Sequence, residues 1–338
     1  RFPVNGMTYL APLVSALVTL VLTFILMTGK TGAIVRDIPN ERSLHSTPIP
    51  RVGGIALMAG VLSGWALLMP FLAWWILLPA AGLFALSLLD DMRGLSAGTR
   101  LIGHFLAALV AVAGAWVSGA GVPLLWSIPV LLFIVWMANL YNFMDGSDGL
   151  AGGMALFGFG GYGVGAWLGG NEMFALLNFS VAAAALGFLF YNFHPARVFM
   201  GDAGSIPLGF LAAVFGMSGW QAGYWPLWFP LLVFSPFVAD ATVTLFKRAR
   251  RGERLSQAHR SHYYQRLVQM GWGHRNTALA EYALMLLAGI SALWGVGLAH
   301  TAQGCLLLGW GMVYLALMGW IDKCWREYQS TEKKAADA

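Results

Sequence analysis

Apolar stretches of about twenty residues follow one another along this chain, and their apolar positions do not alternate as the strands of a barrel would. Short hydrophilic breaks separate them, and each stretch is long enough to cross a bilayer as a helix. They predict eleven spans, at residues 8–28, 52–72, 74–90, 101–119, 123–142, 150–169, 173–193, 205–220, 225–246, 277–299 and 303–322. The expected fold is an all-α integral membrane protein, a polytopic bundle of about 11 transmembrane helices. Its longest polar break, 247–276, is too short for a soluble domain, so residues 7–323 are expected to form a single transmembrane domain followed by a tail over 324–338. Met7 stands directly ahead of the first span, and residues 1–6 read as a remnant preceding that natural start. Gly161, Gly165 and Gly169 recur at four-residue spacing within one span, which predicts close packing of membrane helices rather than a nucleotide loop.

Composition removes the soluble alternative: 58% of the residues are hydrophobic and 10% are charged, more apolar surface than a soluble domain could hide. Charge then orients the bundle. Nineteen of the twenty Lys and Arg residues fall in alternate breaks, and only Arg1 lies on the other side. Basic residues are retained on the cytoplasmic face, so the N-terminus is expected to be periplasmic and the C-terminus cytoplasmic. The net charge of +5 is therefore a topology signal, and no basic, aromatic patch suggests a nucleic-acid partner. Cys305 and Cys324 fall at opposite ends of the last span, out of reach of one another.

The acidic residues follow the basic ones. Only Glu172 is expected in an outer loop, whereas Asp90, Asp91, Asp145, Asp148 and Asp202 all fall where spans meet the cytoplasm. Carboxylates so near hydrocarbon are costly unless paired or bound to a cation. Four polar motifs with glycine precede the second, fourth, sixth and eighth spans: Pro50-Arg51-Val52-Gly53-Gly54, Gly94 to Arg100, Asp145-Gly146-Ser147-Asp148-Gly149 and Gly201-Asp202-Ala203-Gly204-Ser205. Helix N-termini of this kind offer unpaired N–H groups to phosphate. Phosphate beside five carboxylates would be repelled without a divalent cation, and oxygen-rich sites of this type hold Mg²⁺. Arg254, His259, Arg260 and His262 supply donors that could neutralise a pyrophosphate. Taken singly, each feature has a plainer explanation: Asp90-Asp91 as a solvated stop, the Asp-Gly-Ser-Asp-Gly run as a turn, Lys247 to Arg254 as an orientation signal. His104, His194, His274, His300 and Glu281 are given ordinary structural roles. What favours phosphoryl transfer is that the strong features share one face.

At these residues the chain resembles the polyprenyl-phosphate N-acetylhexosamine-1-phosphate transferases, the superfamily of WecA and MraY, over about residues 37–266. Asp37-Ile38-Pro39-Asn40-Glu41-Arg42 through His45 to Gly54 resembles the first cytoplasmic signature, and Asp90-Asp91 followed by Arg100 the paired-aspartate motif. Asn139-Leu140-Tyr141-Asn142-Phe143-Met144-Asp145-Gly146-Ser147-Asp148-Gly149-Leu150 is similar to the Asn-x-x-Asn-x-x-Asp-Gly-x-Asp-Gly-Leu signature, and Gly201 to Ser205 to Gly-Asp-x-Gly-Ser. WecA-like members carry His-x-His-His where this chain has His259-Arg260-Ser261-His262. The run of consecutive histidines of MraY is absent, which points away from a peptidoglycan substrate and toward enzymes that start O-antigen or related glycans.

The resemblance implies a UDP-N-acetylhexosamine donor, an undecaprenyl phosphate acceptor, UMP as product, and Mg²⁺ with Mn²⁺ as a substitute. It also implies a multi-pass protein of the bacterial cytoplasmic (inner) membrane with its site facing the cytoplasm, and makes a homodimer a further expectation. Under it, Asn142 and Asp202 are the expected metal ligands. Asp90 and Asp91 position or deprotonate the lipid phosphate, with Arg100 as counter-charge, and Asp145 and Asp148 orient the nucleotide sugar or support the metal. His259, Arg260 and His262 stabilise charge on the pyrophosphate and the leaving UMP, while His45, Arg51 and Asn139 complete the expected substrate contacts. Direct attack by the lipid phosphate is favoured, and double displacement through an aspartyl phosphate stays open. Asp240 is left as a structural ion partner. Two rivals stand: an MraY-type phospho-MurNAc-pentapeptide transferase, and a cation-coupled transporter, which would place its charges near the bilayer midplane.

Overall fold

The computed structural model describes residues 6–29, 36–39, 44, 47–254 and 259–336. Helices account for nearly all of it: α1 Ala11–Thr28, α2 Gly53–Ala66, α3 Trp74–Arg93, α4 Ala97–Val117, α5 Leu124–Phe143, α6 Leu150–Leu168 and α7 Glu172–Asn192. They continue as α8 Asp202–Gln221, α9 Trp228–Val233, α10 Ser235–Arg250, α11 Tyr263–Leu267, α12 Gly273–Val296 and α13 His300–Ala336. Two short strands, β1 Arg36–Asp37 and β2 Ile49–Pro50, pair antiparallel with Arg36 opposite Pro50.

Eight helical stretches are long and apolar enough to cross a membrane: Gly6–Thr28, Trp74–Arg93, Ala97–Val117, Leu124–Phe143, Glu172–Asn192, Asp202–Gln221, Tyr263–Val296 and His300–Lys334. The other three expected spans are helical but different in kind. α2 has 14 residues and ends before a 3₁₀ turn at Met69–Phe71, where Pro70 supplies no N–H. α6 has 19 residues, many of them glycine. The expected span 225–246 is broken at Phe234 into α9 and α10, because Pro236 in the first turn of α10 cannot continue the hydrogen-bond ladder of α9. At the other end of the chain, the expected tail is a helical continuation of the last span as far as Ala336.

α8 is the axis of the bundle, with every residue from Ala203 to Met217 buried. It packs on α2, α3, α5, α6 and α9, while α1 lies outside against α2 and α7. At Gly209 an added Cβ would stand 2.4 Å from the Met137 carbonyl oxygen, so only glycine lets α5 and α8 approach this closely. The spaced glycines of α6 sit at a helix contact: Gly161 faces Val233 and Gly165 faces Phe229 of α9 together with the Trp225 ring, while Gly169, just past the helix end, lies under the ring of Tyr224. Leucines such as Leu13, Leu17, Leu124, Leu308 and Leu315 are exposed on the membrane-length helices, as the apolar surface of a bilayer-spanning bundle is.

Candidate active site

The site grows from the N-terminal end of α8. Phe199 N–H donates to the Pro50 carbonyl (2.8 Å), Gly53 N–H to Phe199 (3.0 Å) and Gly54 N–H to Met200 (2.9 Å), stitching the β2–α2 connection to the chain entering α8. A Cβ at Gly54 would meet the Gly204 nitrogen at 2.3 Å, which explains the paired glycines. This stitching carries Arg51 to the helix end, where its Nη1 stands 4.0 Å from Asp91 and its Nε 3.9 Å from Asp37. Burial works against its charge, but the carboxylates of Asp37, Asp91, Asp202 and Asp145 outweigh it and hold the guanidinium above its usual range.

Asp91, from the last turn of α3, accepts the N–H groups of Asp202 (3.3 Å) and Ala203 (3.0 Å) and so caps α8 from outside its own segment. Gly201 must be glycine here: its φ is +71°, and a Cβ would press on Asp91 Oδ2 at 2.9 Å. Asp90 accepts Leu95 N–H (2.5 Å) and Arg100 Nη1 (3.1 Å), and the same nitrogen of Arg100 reaches Asp202 Oδ2 at 3.3 Å. Ser205 Oγ–H donates to Asn142 Oδ1 (3.3 Å), tying the end of α5 to the same turn. Gly201 N–H donates to Asp145, and enclosure, followed by the nearby carboxylates Asp202 and Asp91, pushes the Asp145 carboxyl well above the usual range although Arg51 opposes it. Asp90, Asp91, Asp145, Asp202, Arg51, Arg100 and Asn142 are thus gathered at one end of the bundle.

Asp148 has partners of its own. Buried, it accepts His194 Nδ1–H (2.7 Å) and Ala196 N–H (3.1 Å). Its own N–H and the Ser147 hydroxyl face His274 Nδ1, whose Nε2–H donates to the Leu44 carbonyl (3.1 Å). The two imidazoles stack at 5.8 Å. Asp148 therefore ties its own motif to the chain after α7, and His194 and His274, given ordinary roles from the sequence, are its partners. Asn139 Nδ2 donates to the Val135 carbonyl of its own helix (2.7 Å). His45 lies outside the described residues.

The histidine loop closes the site from the α10 side. Asp240 accepts Tyr263 N–H (2.9 Å), Tyr264 N–H (3.0 Å), Thr244 Oγ–H (3.0 Å) and His262 Nδ1–H (3.1 Å). The carboxylate thereby fixes the His262 ring plane and tautomer, as a second partner does for catalytic or metal-bound histidines. Asp240, left from the sequence as a structural ion partner, has His262 in that place, twenty-two positions away. The His262 ring stacks near Phe143 and Tyr264, and Tyr264 Oη–H donates to the Phe143 carbonyl (3.2 Å), which presses the loop against the Asn-rich motif. Ser261 turns its N–H (3.3 Å) and hydroxyl (2.9 Å) to His259 Nδ1, so the ring proton belongs on Nε2. Burial, then the neighbouring His262 and Arg248, lowers His259 to about 4. The expected positive contribution of His259 is thus an N–H dipole rather than a charge. The Arg260 side chain is exposed at the rim.

Among the described residues no three His, Cys, Asp or Glu side chains form a metal cage by themselves. The donor set does suit a hard cation completed by substrate oxygens: the Asn142 amide oxygen and the Asp202 carboxylate sit on adjoining helix ends, in a cluster where carboxylates outnumber guanidinium groups among the described residues.

Residues 73–219, from α3 to α8, match the family described as Glycosyl transferase family 4. The chain is 32% identical over 298 residues to the probable undecaprenyl-phosphate N-acetylglucosaminyl 1-phosphate transferase of Bacillus subtilis (strain 168), covering 83% of each chain. It is 30% identical over 314 residues to the undecaprenyl-phosphate alpha-N-acetylglucosaminyl 1-phosphate transferase of Yersinia pestis, covering 86% of this chain and 85% of the relative. Identity to the phospho-N-acetylmuramoyl-pentapeptide-transferase of Geobacillus kaustophilus (strain HTA426) is also 30%, over 339 residues and 89% of this chain and 98% of the relative. With its motifs gathered at one end of a membrane bundle and relatives of this identity along most of its length, the chain belongs to the polyprenyl-phosphate N-acetylhexosamine-1-phosphate transferase superfamily.

Proposed function

We propose that the protein transfers N-acetylhexosamine 1-phosphate from a UDP-sugar to undecaprenyl phosphate, releasing UMP, at the cytoplasmic face of the bacterial inner membrane. The product would open synthesis of an O-antigen or related envelope polysaccharide. One observation carries this assignment. Arg100, which reaches Asp90 and Asp202, immediately precedes Leu101, which with Ile102, Phe105, Leu106, Leu109 and Leu131 lines an apolar groove of about 440 Å³ on α4 and α5. A lipid with a charged phosphate and a long apolar chain matches that junction of guanidinium and groove.

The reaction asks little covalent chemistry of the protein. An oxygen of the lipid phosphate attacks the sugar-linked phosphorus of the donor, the bond from that phosphorus to the bridging oxygen of UMP breaks, and UMP leaves with the electron pair. Arg100 holds the attacking phosphate, and Asp90 holds Arg100. Both oxygens of Asp91 already accept backbone N–H groups of α8, which supports a positioning role over attack on phosphorus. His259 and His262 offer ring nitrogens to the departing UMP, with Arg260 and Arg51 as its counter-charges. Asn142 and Asp202 would hold Mg²⁺, which when bound neutralises the pyrophosphate and polarises its phosphorus–oxygen bonds.

Purified protein in lipid, given Mg²⁺, undecaprenyl phosphate and a panel of UDP-sugars, tests the assignment. The panel spans UDP-N-acetylglucosamine, its fuco and quinovo counterparts and UDP-MurNAc-pentapeptide. Acceptor-dependent UMP release with an N-acetylhexosamine donor is expected. No UMP with any donor would sink the assignment, and release with the pentapeptide donor alone would move it to peptidoglycan synthesis. UMP formed stoichiometrically without acceptor would replace direct attack by an aspartyl phosphate route.

A further inference from the structure

The histidine loop is held from the far end of the chain. Arg266, buried, donates Nε–H to the Ser261 carbonyl (3.0 Å) and Nη1–H to Asp322 Oδ1 (2.8 Å). Lys247 and Tyr263 Oη–H both donate to Asp322 Oδ2. The rings of Tyr263 and Trp325 lie against the guanidinium, with centroids at 5.0 and 5.8 Å. One residue earlier in the loop, the Arg260 carbonyl accepts Gln269 Nε2–H (3.0 Å). Two consecutive carbonyls of the loop are therefore pinned, and the peptide plane between Ser261 and His262 is set by a guanidinium. That guanidinium needs its counter-charge, because a buried cation without one is costly and will seek another arrangement. Asp322, on α13, supplies it.

The geometry points to Asp322 as a positioning residue for the transfer. It fixes Arg266, Arg266 fixes the Ser261 carbonyl, and through Ser261 the N–H and hydroxyl that set the His259 tautomer are held in place. Asp240 orients His262 from one side of the loop, and Asp322 braces its backbone from the other. The inference rests on the transferase assignment above, in which the loop faces the phosphates of the nucleotide sugar. It gives the last helix, whose outer face is lipid-exposed leucine, a part in donor binding.

The test uses the full chain in lipid with Mg²⁺, undecaprenyl phosphate and UDP-N-acetylglucosamine, or whichever donor of the panel the wild type uses. kcat and the two KM values are measured for wild type, Asp322→Asn, Asp322→Glu and Arg266→Lys. Asp322→Asn is expected to lose about tenfold in kcat/KM for the UDP-sugar, since small misplacements of positioned groups cost at least that much. The loss should show in the donor KM and leave the KM for undecaprenyl phosphate unchanged, with Asp322→Glu recovering most of it. Arg266→Lys keeps the charge but cannot make both bonds, so it should behave as Asp322→Asn does, and the double variant should be no worse than either alone. A merely structural role would reduce the amount of active protein without moving the donor KM. Folded variants with wild-type donor KM would overturn the inference; if Asp322→Asn is not recovered folded, Arg266→Lys decides alone. A wild type that releases no UMP overturns the transferase assignment before any variant is compared, and the inference falls with it.

Discussion

His259 enters the site as a neutral ring, and this has a consequence for stability. Its folded value of about 4 lies below the ordinary 6.5, so between those values the unfolded chain binds the extra proton and the folded one does not. Its contribution to stability is therefore fully present above pH 6.5 and is lost as pH falls toward about 4. Thermal melts of wild type and His259→Gln at pH 7.5 and pH 5 check this. The wild type should lose more in Tm on acidification than the variant, and equal losses would show that His259 titrates normally in the fold. At this scale the sequence was a good guide to the identity of charged residues and a poor guide to their partners. Asp90, Asp91, Asp202, Arg51 and Arg100 meet as the motif order suggested, because short motifs at helix ends have few places to go. Asp148 takes its hydrogen bonds from His194 and from the backbone of Ala196, forty-six and forty-eight positions away. No local pattern marks such a pairing, and the same holds for Asp240 with His262 and for Asp322 with Arg266.

Among the elements, α2 and α8 meet by their first turns, and the contact is made by glycines rather than side chains. The Gly54 Cβ position is 2.3 Å from a backbone nitrogen and 2.7 Å from a Cα, neither of which can rotate away. Gly54→Val should therefore separate the two helix ends, at about 1–3 kcal/mol of strain, and carry Arg51 away from Asp91. Turnover is expected to fall at least tenfold, a size typical of misplaced site residues, with a lowered Tm measured on the same preparation; wild-type turnover would mean that Arg51 does not depend on this junction. Helix positions were legible because a bilayer demands some twenty apolar residues per crossing, and that demand is written plainly along the chain. The break between α9 and α10 was not, although its cause, Pro236, was visible. Proline is tolerated inside the helices of this bundle at Pro79, Pro129 and Pro207, so its presence alone does not mark a break.

Across the molecule, the alternate breaks of the sequence do come together at one end of the bundle, and within that end the cluster at the start of α8 sets the carboxylates of Asp90, Asp91, Asp145 and Asp202 against the guanidinium groups of Arg51 and Arg100 alone among the described residues. Asp145 shares in this crowding: burial first, with Asp202 and Asp91 adding to it, drives its carboxyl well above the usual range against the opposing charge of Arg51. A bundle carrying such repulsion at one end gains stability from any cation that binds the folded state and not the unfolded one, by RT ln(1 + [L]/Kd). Added Mg²⁺ should therefore raise the Tm of the wild type, by roughly 2.7 kcal/mol of stabilisation at a concentration a hundred times Kd. Asp202→Asn removes both a ligand and a repelling charge, so it should melt higher than wild type in chelator, or close to it, and respond little to Mg²⁺. Differential scanning of the two proteins with and without Mg²⁺ reads this without any turnover measurement. Activity supplies the second arm, with chelator abolishing UMP release and Mg²⁺ or Mn²⁺ restoring it. A wild type whose melting is indifferent to Mg²⁺ while its turnover depends on it would place the ion on the nucleotide sugar before binding, and Asn142 and Asp202 would then contact substrate rather than hold a resident metal.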